Sequence, residues 1–237
     1  MLSLSIVIPT RRVGPHLKPC LDACRRSLPG AEIIVVVASA GADSVQPVEQ
    51  SDPLGLPGPI EGATHVLSAT RGRGPQCNAG ASVARGDLLL FLHDDSILPR
   101  QAAALTQSAF ASDQVELACF RLRFDDAHWL LGVYGWFSRF DSVLTSFGDQ
   151  GILIRRRAFD HLGGFPQWPL FEDVELLRRA RRRARVLKLP GVVTTSAVRF
   201  RRNGMVRQQL MNAGLILRYL LGAAPTRLAE LYERDRG

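Results

Sequence analysis

Short, nearly unbroken apolar runs alternate with stretches of helical periodicity through the first part of the chain. The runs are Leu4 to Ile8, Glu32 to Val37, His65 to Ala69 and Leu88 to Leu92. Between the first two, Leu17, Leu21, Cys24 and Leu28 share one face of a predicted helix, and a second helix is predicted near Cys77 to Ala84. Strands that do not alternate, separated by helices, suit a parallel sheet covered on both faces. The pattern therefore predicts an α/β fold with a mostly parallel central sheet flanked by helices. From Ala38 to Gly62 the periodicity lapses into Pro, Gly, Ser and Ala, which reads as a long surface excursion. Further on, a helix is predicted from Pro99 through Phe110, then strands over Leu117 to Phe124 and Gly151 to Ile154. A helix from Val174 to Arg185 and a last strand over Leu187 to Val193 follow. Trp129 to Phe147 is aromatic and irregular, a composition for a loop or short helices lining a pocket. Met205 to Leu221 repeats apolar residues at Val206, Leu210, Ala213, Leu217 and Leu221, and so reads as amphipathic; Pro225 opens one more helix.

A chain of 237 residues with 46% hydrophobic content can bury one sizeable core. We expect one domain over residues 1–203 and a C-terminal amphipathic helical appendage over 204–237. The apolar stretch after Met1 has no basic leader before it and no small-residue cleavage site after it, and no window approaches the ~18 apolar residues of a membrane span. The expected compartment is the cytoplasm. Cys20, Cys24, Cys77 and Cys119 lack a metal-ligand spacing and read as small apolar residues. A net charge of +8 points to an anionic partner. Without zinc-finger spacing, an aromatic RNA-binding strand or a clear helix-turn-helix, nucleic acid is set aside. A phosphate-bearing substrate and a membrane surface remain.

Three constellations carry candidate chemistry. The run Gly86 to Leu92 is a buried strand that ends abruptly in His93-Asp94-Asp95. In open α/β sheets ligands bind beyond the carboxyl ends of strands, so these side chains face the crevice. A carboxylate with an imidazole suits a divalent cation bridging a diphosphate, Mn more readily than Mg where histidine ligates. A solvated turn whose aspartates cap the next helix fits the same residues. The second constellation, Arg71 to Gly80, places two arginines and glycines at a helix start, an arrangement for phosphate or simply an exposed glycine turn. It is not a dinucleotide fingerprint, because Cys77 stands where the third glycine belongs. The third, Gly163 to Leu176, uses a Gly-, Pro- and aromatic-rich turn to deliver Glu172 and Asp173 to a helix start. Capping explains Asp173 there, and so does a fixed, ionised base beside an aromatic wall. The six arginines between Arg178 and Arg185 read first as a solvated helix face. With the amphipathic C-terminal helix they also allow peripheral contact with anionic lipid on the inner face of the membrane.

In this order and spacing the motifs resemble the family 2 glycosyltransferases, in particular a bacterial branch of them. The resemblance rests on Ile6-Val7-Ile8-Pro9-Thr10, Gln76 to Gly80, Gly86 to His93, Gly148-Asp149-Gln150-Gly151, Leu162 to Pro166, Glu172-Asp173 and Thr195-Ser196-Ala197, and spans nearly the whole chain. It implies a GT-A type domain for a nucleotide-diphosphate sugar and a hexosyltransferase-like inverting displacement, with Asp173 as base beside Glu172. It further implies a divalent cation (Mn or Mg) at Asp95 and His93. Pro9, Thr10, Arg11, Arg73, Gln76, Asn78, Gly80 and Asp94 match donor-site positions. Asp149, Gln150 and Trp168 fall on the side of a hydroxyl acceptor, for which a lipid-linked molecule is one class.

The departures lie on the donor side. Arg12-Val13 stands where the family usually has Asn-Glu, Val37 where it has an aspartate, and His93-Asp94-Asp95 where it has Asp-x-Asp. Affinity is therefore expected to depend more on diphosphate than on base, with Asp43 as a substitute carboxylate. A nucleotidyltransferase is set aside, since Gly-x-Gly-x-Arg is missing after the first strand. The competing expectation is a catalytically silent glycosyltransferase-like protein that binds a phosphorylated ligand or partner.

Overall fold

A computed structural model describes residues 2–39, 46–47 and 58–234; Asp43 lies outside them. Its strands are β1 (Leu4–Thr10), β2 (Glu32–Ser39), β3 (Gln46–Pro47), β4 (His65–Thr70), β5 (Leu88–Phe91), β6 (Leu117–Phe124), β7 (Ile152–Arg155) and β8 (Leu187–Thr195). They join in one sheet in the order β3-β4-β2-β1-β5-β7-β6-β8. β4, β2, β1 and β5 run parallel to one another, as do β6 and β8. β7 enters antiparallel between β5 and β6, and β3 pairs antiparallel with β4.

The helices are α1 (Leu17–Ser27), α2 (Arg73–Val83), α3 (Ala102–Phe110), α4 (Trp129–Phe137), α5 (Arg156–Leu162), α6 (Glu172–Arg181), α7 (Val198–Asn203), α8 (Met205–Leu220) and α9 (Pro225–Arg234). Both faces of the sheet are covered, which is why its central strands carry no alternation. Side chains along a strand point to opposite faces in turn. Ile6, Ile8, Ile33, Val35, Leu88 and Leu90 fill the core beneath α1 and α3. Their neighbours Val7, Ile34, Val36, Leu89 and Phe91 fill the other, beneath α2, α5 and α6. Each such side chain removed from water contributes about 1.5–3 kcal/mol. All four cysteines are free and buried in these two cores, as their small apolar character suggested.

Gly80 shows how closely α2 rides on the sheet, since a Cβ there would come within 2.3 Å of Val7 Cγ1. A smaller cluster of Leu122, Phe124, Leu131, Ala197 and Phe200, with Tyr134 and Met205 packed on it, joins the end of β6 to α4, α7 and the start of α8. It sets the C-terminal segment beside the carboxyl end of the sheet.

Several boundaries differ from the sequence expectation. α3 begins at Ala102 and not at Pro99, because Ile97 is held extended by a two-way backbone bridge to Thr194. α6 starts earlier, at Glu172, and stops at Arg181. Its arginines are not uniformly solvated. Arg178 grips both oxygens of Glu175 at 2.7 and 2.8 Å, Arg179 donates to the carbonyls of Leu162 and Gly164, and Arg181 pairs with Asp141 at 2.6 Å. Arg182, Arg183 and Arg185 are exposed. The short helices α5 and α7 went unanticipated. α5 buries only Ala158 and Phe159, and α7 only Phe200, too few to leave a period.

Candidate active site

β5 leaves the sheet after Phe91, and a turn closed by Ser96 N–H donating to the His93 carbonyl presents three polar side chains at its carboxyl end. Asp94 accepts the hydroxyl of Thr10 from the end of β1 at 2.5 Å. Asp95 accepts that of Thr195 from the end of β8 at 3.3 Å. Burial raises the Asp95 carboxyl above its ordinary value, and the adjacent charge of Asp94 adds to this while Arg73 and Arg199 oppose it. His93 is buried, and desolvation together with Arg73 and Arg199 holds its pKa well below the usual imidazole range. Its ring is therefore neutral near pH 7, with a lone pair available to a ligand.

The opposite wall is the start of α6. Gly163 and Gly164 end α5 with φ of 74° and 68°, a left-handed turn that suits residues without Cβ. The chain then runs to Phe171, whose φ of 63° is the one positive value for a non-glycine residue among the described residues. From there Glu172 and Asp173 enter the first turn of the helix, where the dipole favours negative charge. Asp173 Oδ2 accepts the Gly148 N–H at 2.5 Å, and Oδ1 accepts the Val174 N–H at 2.7 Å.

Gly148 is where the two walls meet. A Cβ on it would lie 3.0 Å from Asp173 Oδ2 and 3.2 Å from His93 Nε2. Next to it, Asp149 is half-buried, with Oδ1 out of reach of solvent and lacking a hydrogen-bond partner. Burial, then the charge of Asp173, pushes the Asp149 carboxyl up to about 7. The same two causes raise Glu172. Arg73, at the start of α2, faces these acids across the cavity while part of its side chain stays exposed; desolvation works against its charge, but Glu172, Asp173 and Asp95 outweigh it and keep the guanidinium ionised.

Arg73, His93, Asp95, Asp149, Glu172 and Asp173 all line one cavity of about 370 Å³, within the range of small-ligand sites. Tyr134 of α4 and Phe147 form an aromatic side, their rings stacked with centroids 6.3 Å apart. The remaining wall is C-terminal: Arg199 of α7, Gln209 and Asn212 of α8, and Tyr232 of α9. Arg199 donates to the Tyr232 hydroxyl at 2.8 Å. α8 is docked by Tyr219, whose hydroxyl donates to Glu175 at 3.0 Å and whose ring lies 5.0 Å from that of Phe171.

The other residues singled out from the sequence stand outside the cavity lining. Gln76 donates to the carbonyls of Thr10 and Val36, Asn78 exchanges two hydrogen bonds with the Phe165 backbone, and Gly80 packs on Val7. They hold the strand ends and the 163–172 turn in place behind the site. Pro9 is buried and Arg11 exposed at the end of β1. Gln150 donates to the Thr145 carbonyl and accepts from Lys188, and Trp168 meets the Tyr219 ring at 6.4 Å. Arg199 and Tyr232 escaped the sequence reading. The available signal for Arg199 was its place just after a strand's carboxyl end.

The residues at the end of β5 suit a divalent cation. Among the described residues no group of three His, Cys, Asp or Glu side chains converges as a complete ligand set. Mg and Mn, however, commonly take one or two protein carboxylates and complete their shells with substrate phosphates and water. Two adjacent carboxylates, that of Asp95 raised by burial and by its neighbour's charge, beside a neutral imidazole, match that demand.

A parallel-rich sheet with acids at the carboxyl ends of its strands and a carboxylate at a facing helix start defines the GT-A class of glycosyltransferase architecture. Residues 5–165 match glycosyl transferase family 2, and the chain belongs to that family. Among solved structures it is similar to the mannosyltransferase PcManGT from Pyrobaculum calidifontis in complex with GDP-Man and Mn2+, at 18% identity and a TM-score of 0.56, over 87% of this chain and 62% of that one. It is also similar to S. aureus TarS 1–349 in complex with UDP, at 12% identity and TM-score 0.58, over 83% and 61%. GalNAc-T7 with UDP, GalNAc and Mn2+ aligns at 15% identity and TM-score 0.58, over 82% and 44%. The chain thus spans under two thirds of the length of each of these structures. No curated protein matches it by sequence.

Proposed function

We propose that the chain transfers a sugar from a nucleotide-diphosphate donor to an acceptor hydroxyl, in the cytoplasm and with inversion at the anomeric carbon. The observation that carries this reading is the convergence of Asp173 and His93 on Gly148 inside one cavity. Asp173, held by two backbone N–H groups, takes the proton of the acceptor hydroxyl. The oxygen so freed bonds to the anomeric carbon as the bond from that carbon to the diphosphate oxygen breaks, and the electron pair leaves with the diphosphate. Asp95 and His93 would hold a divalent cation, Mn or Mg, which when bound supplies positive charge to the departing diphosphate. Arg73 and Arg199 add fixed positive charge to the same cavity. Asp149 and Glu172, with raised proton affinity, remain neutral donors to sugar or acceptor hydroxyls below about pH 7. The nucleotides and Mn2+ named with the similar structures support this donor class. In this reading α8 and α9 complete the site by closing the cavity formed by the preceding elements.

The silent-binder reading has one observation in its favour. Val37 is buried and paired in the sheet with Thr10 and Ser68, so among the described residues this position of β2 offers no carboxylate. Calorimetric titration with UDP, GDP, dTDP, CDP and their sugar conjugates, with and without Mn, separates the two. Metal-dependent binding lost in Asp95→Asn, together with donor turnover lowered about 10³-fold in Asp173→Asn, supports the transferase. Binding that leaves turnover absent in the parent protein supports the silent binder.

A further inference from the structure

Two strips of apolar side chains stand in solvent on segments that also line the cavity, α8 and residues 129–144. On α8, Val206, Leu210, Leu217, Leu220 and Leu221 are between 48 and 79% exposed. Their spacing places them on one stripe, away from the buried Gln208 and Leu215. Arg207 and Arg218 border the stripe, and α8 contains no acidic residue. On the 129–144 segment, Trp129, Trp136, Phe137, Phe140 and Leu144 are between 47 and 69% exposed, Leu144 at the cavity and the two tryptophans beside a neighbouring groove. Arg139 lies 5.0 Å from the centre of the Trp136 ring. The strips share the cavity, because Leu144 lines it from one side and Ala213 of α8 from the other.

Large apolar groups left in water on this scale mark a surface that something covers. Its chemistry selects the occupant. Tryptophan and phenylalanine with flanking arginine match the interface between lipid headgroups and acyl chains, and a helix with one apolar stripe bordered by arginine lies in that plane. A second copy of the chain would set Arg139, Arg207 and Arg218 and a net charge of +8 against the same charges. An anionic bilayer reverses that repulsion. The nearby acids Asp141, Asp125 and Asp126 are already paired, the first with Arg181 and the others with Arg201, so they do not cancel the attraction. The arginines of α6 that suggested lipid contact in the sequence are partly consumed by such internal pairs, which moves the contact to α4 and α8.

We propose that the rim formed by α8 and by the 129–144 segment docks on an anionic bilayer surface, with the cavity facing the membrane so that the acceptor hydroxyl arrives on a lipid. The acceptor part rests on the transferase reading; the docking part does not. No described helix is long and apolar enough to cross the bilayer, so the contact is peripheral.

Flotation with phosphatidylcholine vesicles and with phosphatidylcholine/phosphatidylglycerol vesicles tests the docking. Binding to the anionic vesicles only, weakened by salt and lowered about tenfold or more in Leu210→Glu/Leu217→Glu, is expected. Those positions are exposed, and unchanged nucleotide affinity in the double variant shows that its fold is kept. On the unaltered chain, emission should shift to the blue with anionic vesicles, and the shift should vanish in Trp129→Phe/Trp136→Phe, leaving Trp168 as background. Equal binding to neutral vesicles, or no binding to either, overturns the proposal. So does self-association that the double variant abolishes, which would assign the rim to a second copy. Because vesicle binding is read without turnover, either proposal can fail while the other stands.

Discussion

The cavity and the ends of β1 and β2 beyond its lining, the base end and the donor end of the reading proposed above, are built on different principles. At the base end, each carboxylate is fixed by the backbone or held against a guanidinium: Asp173 by Gly148 and Val174, Glu172 and Asp149 against Arg73. At the donor end, where relatives of this family usually carry acids, β1 runs into Arg11-Arg12-Val13 and β2 carries the buried Val37. The first is a preorganised machine for a proton and a leaving group, the second a basic and apolar ledge. On the transferase reading proposed above, the difference puts the weight of donor recognition on the part common to all nucleotide sugars, the diphosphate.

The largest effect is expected where the comparison has no slack. Gly148→Ala places a methyl group 3.0 Å from Asp173 Oδ2 and 3.2 Å from His93 Nε2, so the proposed base and the proposed metal ligand must give way by a few tenths of an ångström. Initial rates should fall about 100-fold, with thermal stability nearly unchanged. A fall of only a few-fold would mean that the two walls act independently.

A smaller effect is expected from pH. Asp149 is raised to about 7 from 3.8, so between those values the folded chain holds a proton that the unfolded chain has lost. The sign follows: stability is fully present below about pH 4 for this group and declines as pH rises to about 7, by a few kcal/mol at most. Asp149→Asn should flatten that part of the profile in chemical denaturation series. An unchanged profile would show that Arg73 already keeps Asp149 ionised. Smallest is the donor-end prediction. Affinities for UDP, GDP, dTDP and CDP should agree within about fivefold, roughly 1 kcal/mol, whereas nucleoside monophosphates bind distinctly more weakly. A strong preference for one base, read by calorimetry, would restore a specific pocket to the donor end.

Much of the base end was legible in the sequence because strand patterning and special turns leave local marks. The polar break after Leu92, the Gly163-Gly164 turn and the acids opening α6 fall where the motifs placed them. What was not legible depends on long-range packing. Arg199 reaches the cavity because Phe200 and Ala197 join a cluster assembled from β6, α4 and α8, and no local period announces it. Gln76 and Asn78 have the residue types of ligand-binding groups, yet their amides are engaged by the Thr10, Val36 and Phe165 backbone, contacts that only the folded chain reveals.

The four thiols carry a consequence of a practical kind. Cys20 and Cys24 sit in the core on one face of the sheet, Cys77 and Cys119 in the core on the other, all without disulfides. A small alkylating reagent reaches them only when the layer above lifts. Mass spectra of timed labelling would therefore count how often each face opens, giving two independent clocks on one chain without a single substitution.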